Sequence, residues 1–249
     1  MKTVCVIPAR FGSQRLPGKP MMLLRGRPMI QWVIEAARKF NVVDEILVAT
    51  DHHEIVRAAQ AVGAEAVMTD QELPSGTDRI HAAMRDRDGD IIINLQGDEP
   101  GMPGDTVGRA HAALLAGEAD VATACIPILN REDFESPNIV KVVRGANDHA
   151  LYFSRSPIPS LSRRSAEEFN SRGALFGYKH LGLYLYRRAA LERFCALPPS
   201  YLEQTEKLEQ LRMLENGMSI VCVTSTTDSV GVDIAEDIGR AEEFLGRSG

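Results

Sequence analysis

The chain has 249 residues, 44% of them hydrophobic, and a formal net charge of −6. A chain of this length can bury a substantial core, and its charge argues against nucleic acid or a membrane as a partner. The four cysteines lie far apart, which argues against a disulfide framework and a paired metal knuckle. The first apolar run, residues 3–8, is too short for a signal sequence or a membrane span, so we expect a cytoplasmic protein.

The first half of the chain alternates apolar runs of strand length with segments of helical spacing. We predict strands at residues 3–7, 45–50, 66–68 and 91–95, and helices beginning at Pro28 and spanning residues 54–62 and 78–87. The run at 91–95 shows no polar alternation, which predicts a central strand covered on both faces. This order is typical of an α/β fold with a largely parallel sheet.

The pattern changes beyond residue 126, where the apolar runs become shorter. We predict strands at 140–143, 150–153, 180–186 and 219–223, and helices at 189–196, at 202–216 and from about Ala235. The polar stretch 160–173 is expected to form an exposed loop or flap. No segment has the character of an interdomain linker, so we predict one domain over residues 1–249, with a smaller lobe at about 127–190.

A basic loop at residues 8–20 directly follows the first predicted strand. Its cations, glycines and serine are Arg10, Gly12, Ser13, Arg15, Gly18 and Lys19. Cationic side chains beside free strand-end amides suit a polyphosphate, and we expect Lys19 to be an exposed loop residue. The spacing matches neither a Walker A loop nor a dinucleotide-binding turn. A solvated basic loop is the alternative interpretation.

Two aspartates are candidate magnesium ligands. Asp98 follows the strand at 91–95, at the edge where open α/β sheets bind ligands, and Asp233 lies near the carboxyl terminus. Carboxylate oxygens suit magnesium, which takes one or two of them when it bridges a triphosphate. The alternatives are a turn-forming role for Asp98 and, for Asp233, a capping box with Glu236 that opens the last helix.

Two further segments carry polar groups of functional interest. Residues 75–79 supply hydroxyls, backbone amides and the guanidinium of Arg79, which could bind the polar edge of a base. The residues alone favour a simpler interpretation, in which Thr77 is a helix N-cap and Arg79 is solvated. On the predicted strand at 180–186, His180 shares one face with Gly182 and Tyr184. A satisfied core or interface histidine is the alternative there.

Eight segments of the chain resemble the 3-deoxy-manno-octulosonate cytidylyltransferases in order and spacing. These segments are residues 7–20, 49–51, 75–79, 94–100, 152–155, 180–182, 208–212 and 231–233. The match covers nearly the whole chain. One departure is Ile234-Ala235 after Asp233, where a threonine and a proline are usual in the family.

The resemblance implies a nucleotide-diphospho-sugar transferase (Rossmann-like) fold with a mostly parallel central sheet and a smaller dimerisation lobe. It also implies a homodimer that depends on Mg2+. The implied reaction transfers CMP from CTP to the anomeric hydroxyl of 3-deoxy-D-manno-octulosonate (Kdo), giving CMP-Kdo and pyrophosphate. This reaction is a step toward lipopolysaccharide.

The resemblance also assigns residues by position. The nucleotide site that it implies comprises Pro8, Ala9, Arg10, Ser13, Arg15, Lys19, Ser75, Gly76, Thr77, Arg79 and Gln96. The implied sugar side comprises Arg155, His180, Tyr184, Glu206 and Gln210. Asp98 and Asp233 would hold the metal. The expected catalytic residues are Arg10, Arg15, Lys19, Asp98 and Asp233.

Three alternatives remain open at this point. The nearest is a cytidylyltransferase for another acidic sugar, such as sialic acid or 8-amino-Kdo. A nicotinamide-dependent dehydrogenase would share the alternation of strands and helices, but the chain lacks its glycine fingerprint. A sugar-nucleotide-binding module without activity is the third, and the presence of both aspartates and Lys19 argues against it.

Overall fold

The computed structural model describes residues 1–12, 16–163, 175–232 and 234–247. The strands in this part of the chain are β1 (Thr3–Ala9), β2 (Leu23–Leu24), β3 (Arg27–Pro28), β4 (Glu45–Thr50), β5 (Glu65–Met68), β6 (Ile91–Leu95), β7 (Val121–Ile128), β8 (Lys141–Arg144), β9 (Ala150–Ser154), β10 (Gly177–Arg187) and β11 (Ile220–Thr224). The helices are α1 (Met29–Arg38), α2 (His53–Gln60), α3 (Gly76–Ala83), α4 (Gly104–Ala116), α5 (Arg131–Glu135), α6 (Arg188–Ala196), α7 (Tyr201–Glu206), α8 (Gln210–Glu215) and α9 (Asp237–Arg247).

The main sheet has the strand order β11-β7-β10-β6-β1-β4-β5. Strand β1 runs parallel to both β4 and β6, β4 runs parallel to β5, and β11 runs parallel to β7. Strand β10 is antiparallel to β6 and β7 and also pairs with β8, which pairs in turn with β9. The α/β fold with a mostly parallel sheet is therefore confirmed, and β8 to β10 form its antiparallel part.

Helices cover both faces of this sheet. One face carries α1, α2, α4 and α9, and its core includes Val33 and Leu114. The other face carries α3, α6 and α8, and its core includes Ile80 and Phe194. Every residue of β1 and β6 is buried, as the absence of polar alternation at residues 91–95 predicted. Burial on both faces leaves only the ends of these strands open to a ligand.

The structure corrects several predicted boundaries. The predicted helix at 202–216 is two helices, α7 and α8, because Lys207 adopts a left-handed conformation with φ of 57°. The turn lets Glu203 of α7 pair with Arg212 of α8, at 2.5 Å between Oε1 and Nη2. Helix α3 begins at Gly76 and ends at Ala83, whereas the predicted helix spans 78–87. The apolar pattern did not predict helix α4 or strand β7.

The other boundaries fall within a few residues of the predicted ones, apart from the flap. The predicted flap at 160–173 lies mostly outside the described residues. Among the described helices, none combines the length and the apolar character that crossing a membrane requires.

Lys141 of β8 is fully buried and ties together the loops around it. Its Nζ donates to the carbonyl oxygens of Ser136, Ile139 and Arg155, at 2.7, 2.7 and 2.6 Å. Burial lowers the pKa of this amine. All three carbonyl groups accept from this one ammonium group, although that of Ser136 also accepts the Ile139 N–H at 3.3 Å. Lys141 therefore ties the backbone before β8 to the backbone after β9.

We predict that Lys141→Met destabilises the protein by about 3 kcal/mol, because it removes the lysine donor from three part-buried carbonyl groups, of which only that of Ser136 has a second donor among the described residues. Lys179→Met is the matched control: Lys179 is the cross-strand neighbour of Lys141, but its ammonium makes a part-exposed ion pair with Asp228. We expect less than about 1 kcal/mol there. Urea unfolding of the three proteins measures both effects, and equal losses would contradict the assignment.

Candidate active site

A cleft of about 370 Å³ lies at the carboxyl ends of β1 and β6. The residues that line it are Pro8, Ala9, Arg10, Lys19, Pro20, Leu73, Pro74, Ser75, Gly76, Arg79, Gln96, Gly97, Asp98 and Glu209. This is the edge at which open α/β sheets bind ligands. The structure therefore brings the basic loop, the segment at 75–79 and the Asp98 turn around one space.

Most residues predicted for the nucleotide site line this cleft. They are Pro8, Ala9, Arg10, Lys19, Ser75, Gly76, Arg79 and Gln96. Thr77 is buried behind the cleft wall rather than on it. Ser13, Arg15 and Asp233 lie outside the described residues.

Lys19 forms an ion pair with Asp98 across the cleft. Its Nζ lies 2.5 Å from Oδ2 of Asp98, and the whole residue is only 8% exposed. The expectation of an exposed loop lysine was therefore wrong. A buried ammonium group requires a charged partner, and Asp98 supplies it. The interpretation of Asp98 as a turn former alone does not account for this pair.

Gly97 permits the close approach of the two strand ends. A Cβ atom at this position would lie 2.8 Å from the carbonyl oxygen of Pro8. Such a contact is too short for any other residue without a shift of the backbone. Gly97 therefore sets the distance between the basic loop after β1 and Asp98 after β6.

The other wall of the cleft is the beginning of α3. Ser75 is its N-cap: the side-chain oxygen accepts the Asp78 N–H at 3.1 Å. The interpretation of Thr77 as the cap was therefore wrong, since its hydroxyl donates to Glu209 at 2.9 Å. Arg79 is 2% exposed, so it is not the solvated residue that the local pattern favoured.

Glu209 is a cleft residue that the sequence analysis did not assign. It follows the turn at Lys207, and its carboxylate accepts a hydrogen bond from the Thr77 hydroxyl of α3. Burial raises the pKa of its carboxyl group. Its place within the family-like segment 208–212 was the only available signal, because its contact with Thr77 spans 132 positions of the chain.

Glu99, the neighbour of Asp98, differs from it in burial. Its carboxyl group is buried, and Oε2 has no hydrogen-bond partner among the described residues. Burial raises the pKa of Glu99 to about 8, and the charge of Asp98 adds to the effect. Near neutral pH the carboxyl group of Glu99 is therefore mostly protonated.

The residues predicted for the sugar side form two groups, and none of them lines the cleft described above. Glu206 accepts from the Ser154 hydroxyl at 2.6 Å and from the Arg155 N–H at 3.1 Å. Arg155 in turn donates to the carbonyl oxygens of Glu206 and Pro137, both at 3.3 Å. Gln210 is buried in α8. Their role toward a sugar stays a prediction.

His180 and Tyr184 form the second group, on β10. Their ring centroids lie 5.3 Å apart, which confirms that they share a face, and His180 also packs edge-on against Phe153. The ring Nε2 of His180 lies 2.9 Å from the hydroxyl oxygen of Thr123. Burial lowers the pKa of His180 to about 3, so the imidazole is neutral at physiological pH.

Comparison with known proteins places this geometry in a family. A model of the cytidylyltransferase family matches residues 4–220. The 3-deoxy-manno-octulosonate cytidylyltransferase of Bdellovibrio bacteriovorus is 48% identical over 250 residues and covers 100% of both chains. The chain belongs to the 3-deoxy-manno-octulosonate cytidylyltransferase family. The family resemblance seen in the sequence is confirmed, and with it membership in a family of nucleotidyltransferases.

Other relatives agree with this assignment. The cytidylyltransferase of the same name from Chloroherpeton thalassium is 43% identical and covers 99% of each chain. The solved structure of CMP:2-keto-3-deoxy-manno-octonic acid synthetase complexed with CTP matches at a TM-score of 0.91 and 40% identity, with 100% of both chains covered. A cytidylyltransferase from Leptospira borgpetersenii, at 15% identity and a TM-score of 0.63, shares the fold.

We predict that Gly97→Ala lowers activity at least tenfold and destabilises the protein by about 2 kcal/mol, because the added methyl group separates the two strand ends. The control is Gly108→Ala in the middle of α4, where a Cβ atom meets nothing within 4 Å. That change should stabilise the protein by up to about 1 kcal/mol. Initial rates and thermal melts measure both variants, and full activity in Gly97→Ala would contradict the close-approach argument.

The buried imidazole of His180 generates a pH prediction. Its pKa is lowered from 6.5 to about 3 in the folded state, so the unfolded chain binds a proton first as the pH falls. The stability contribution is therefore complete above pH 6.5 and is lost progressively below it. We expect His180→Gln, which stays neutral, to flatten the decline of the melting temperature between about pH 6.5 and pH 4. His53→Gln, at an exposed position, should keep the parent's decline, and an unchanged decline in His180→Gln would refute the argument.

Proposed function

We propose that this protein transfers CMP from CTP to the anomeric hydroxyl of Kdo, releases pyrophosphate, and so supplies an activated sugar for lipopolysaccharide synthesis. The observation that carries the proposal is the cleft at the ends of β1 and β6, with cations on one side and Asp98 on the other. It occurs in a chain that aligns over its full length with a synthetase complexed with CTP.

The transfer requires positioning and charge neutralisation more than covalent chemistry by the protein. The sugar oxygen forms a bond to the α-phosphorus while the bond to pyrophosphate breaks, with the two oxygens in line. Arg10 and Lys19 line the cleft and neutralise the charge that develops on the departing pyrophosphate. We assign Ser13 and Arg15 of the same loop to the triphosphate as well.

The nucleoside half of CTP fits the wall formed by the start of α3 and the end of β6. Ser75, Gly76, Arg79 and Gln96 line this wall, and Thr77 supports it through Glu209. The side-chain amide of Gln96 donates to Oδ1 of Asn94 at 2.8 Å, which leaves its carbonyl oxygen as an acceptor for the amino group of a base. The wall therefore offers both donors and acceptors to cytosine.

We assign a magnesium site to Asp98 and Asp233. The residues present fit the ion, because Asp98 places a partly exposed carboxylate beside the cationic loop, and magnesium on a triphosphate uses only one or two protein carboxylates. A bound magnesium ion would polarise the α-phosphate and lower the pKa of the attacking hydroxyl. The capping-box alternative for Asp233 loses support, since α9 begins at Asp237, which itself accepts the Ile234 N–H at 3.0 Å.

The proposal extends to the sugar side and to assembly. Arg155, His180, Tyr184, Glu206 and Gln210 would contact the sugar once the nucleotide is bound. We propose a cytoplasmic homodimer that uses the lobe at about 127–190, which exposes Leu129 and Leu151. Sedimentation that shows an active monomer at assay concentrations would refute the dimer.

Pyrophosphate release with CTP, magnesium and a panel of acidic sugars tests the proposed reaction. We expect turnover with Kdo at a kcat/KM far above the values for 8-amino-Kdo and sialic acid, because a site built to bind a hydroxyl rejects an analogue that lacks it. Faster pyrophosphate release with another acidic sugar would identify that sugar, and not Kdo, as the substrate. No release with any of them would refute the proposed reaction.

We predict that Asp233→Asn raises the magnesium concentration needed for half-maximal rate at least tenfold and slows turnover at saturating CTP, because it removes a negative charge that the ion requires. The matched control is Asp237→Asn, which removes one charge from the same terminal segment but keeps an acceptor for the Ile234 N–H. Its curve of rate against magnesium should coincide with that of the parent. A coincident curve for Asp233→Asn would remove this residue from the metal site.

A further inference from the structure

We propose that Asp51 is a positioning residue that joins the two walls of the CTP site, the basic loop after β1 and the start of α3. Asp51 directly follows β4, the neighbour of β1, and does not line the cleft. Residues 49–51 are one of the segments that resemble the family, but the resemblance assigns no role to Asp51. This inference rests on the proposed binding of CTP.

The two oxygens of the Asp51 carboxylate serve different walls. Oδ1 accepts the backbone N–H of Phe11 at 2.9 Å, and Oδ2 accepts from Nη2 of Arg79 at 3.3 Å. The Asp51 side chain is 7% exposed, so these are buried, charge-assisted hydrogen bonds. A displacement of either wall therefore acts on the other through one rigid group of atoms.

The contact with Phe11 fixes the base of the loop. The carbonyl oxygen of Phe11 accepts the Gly18 N–H at 2.9 Å, which closes the loop between the cleft cations Arg10 and Lys19. The Phe11 ring also stacks on His52, with centroids 3.9 Å apart and planes inclined by 18°. Consecutive residues after β4 therefore hold both the peptide group and the ring of Phe11.

The contact with Arg79 fixes the other wall. The Nη1 group of Arg79 donates to the side chain of Thr69 and to the carbonyl oxygen of Asp70, which are neutral acceptors. The ion pair of this buried guanidinium in the described part of the chain is with the carboxylate of Asp51. Without Asp51, Arg79 becomes a buried cation with neutral partners, a costly arrangement that moves the side chain toward solvent.

The position of Asp51 behind both walls has a consequence for the substrate. The base and the triphosphate of CTP lie against opposite walls in the proposed function, so the spacing of the walls must match one ligand. Asp51 sets that spacing without contact with the ligand. A substitution that breaks only one of its two contacts should therefore weaken the binding of only one ligand fragment, which a general loss of stability would not do.

The test uses CMP as a probe of the base wall and inorganic pyrophosphate as a probe of the loop, with affinities measured by calorimetry in magnesium buffer. In Asp51→Asn the amide oxygen can still accept the Phe11 N–H, but the side chain no longer carries the charge that Arg79 needs. We expect CMP affinity to fall about tenfold, the effect of losing one charged hydrogen bond, with pyrophosphate affinity within about twofold of the parent.

A second variant tests the loop half. His52→Asn removes the ring that stacks on Phe11 but keeps a good N-cap for α2, where His52 accepts the Glu54 N–H. It should show the reverse pattern, with weaker pyrophosphate binding and unchanged CMP binding. Asp70→Asn is the charge-matched control, because the Asp70 side chain accepts the Glu72 N–H and its charge has a smaller effect on the pKa of Arg79 than that of Asp51. It should bind both probes as the parent does.

Equal losses of both probes in Asp51→Asn, or no loss of either, would overturn the proposal, and so would unchanged pyrophosphate binding in His52→Asn. If Asp51→Asn does not fold, Asp51→Glu decides, because it keeps the charge beside Arg79 and displaces the Phe11 contact. It should keep CMP binding and weaken pyrophosphate binding, and any other pattern would overturn the proposal. A parent protein that binds neither CMP nor pyrophosphate would instead contradict the proposed function.

Discussion

The ion pair between Lys19 and Asp98 is the interaction on which the organisation of the cleft depends. It joins residues that are 79 positions apart, one after β1 and one after β6. Lys19 is largely desolvated, so a charged partner stabilises its ammonium group there, and the partly exposed carboxylate of Asp98 supplies one. The pair therefore keeps a cation and an anion together at the place where the proposed triphosphate and divalent ion would need charges of opposite sign. The binding of CTP would give each a new partner.

The rest of the fold brings these two charges together. Strands β1 and β6 are buried along their whole length under helices on both faces, so only the strand ends are open to a ligand. Gly97 has no side chain, so the ends of β1 and β6 can approach each other closely. Asp51, behind the cleft, accepts a hydrogen bond from the loop, and Glu209, in the cleft lining, accepts one from the start of α3. Core packing and site chemistry thus meet at one edge of the sheet.

The sequence was sufficient where local patterns carry the information. The absence of polar alternation at 91–95 identified a central strand, and the charges after it and after β1 identified both sides of the cleft. It was insufficient where a distant partner decides. The local pattern at 75–79 favoured a solvated Arg79, yet this residue is buried and donates hydrogen bonds to Asp51 and to the Thr69 side chain. The periodicity at 202–216 could not reveal the left-handed turn at Lys207, because apolar spacing on both sides of the turn continues.

A crystal structure of this protein with CTP and magnesium tests the central claim most directly. The account predicts that the triphosphate lies in the cleft between Arg10 and Lys19, that the cytosine lies against the start of α3, and that Nζ of Lys19 moves from its 2.5 Å contact with Asp98 to a phosphate oxygen. A triphosphate bound outside this cleft, with the Lys19–Asp98 pair intact, would contradict it.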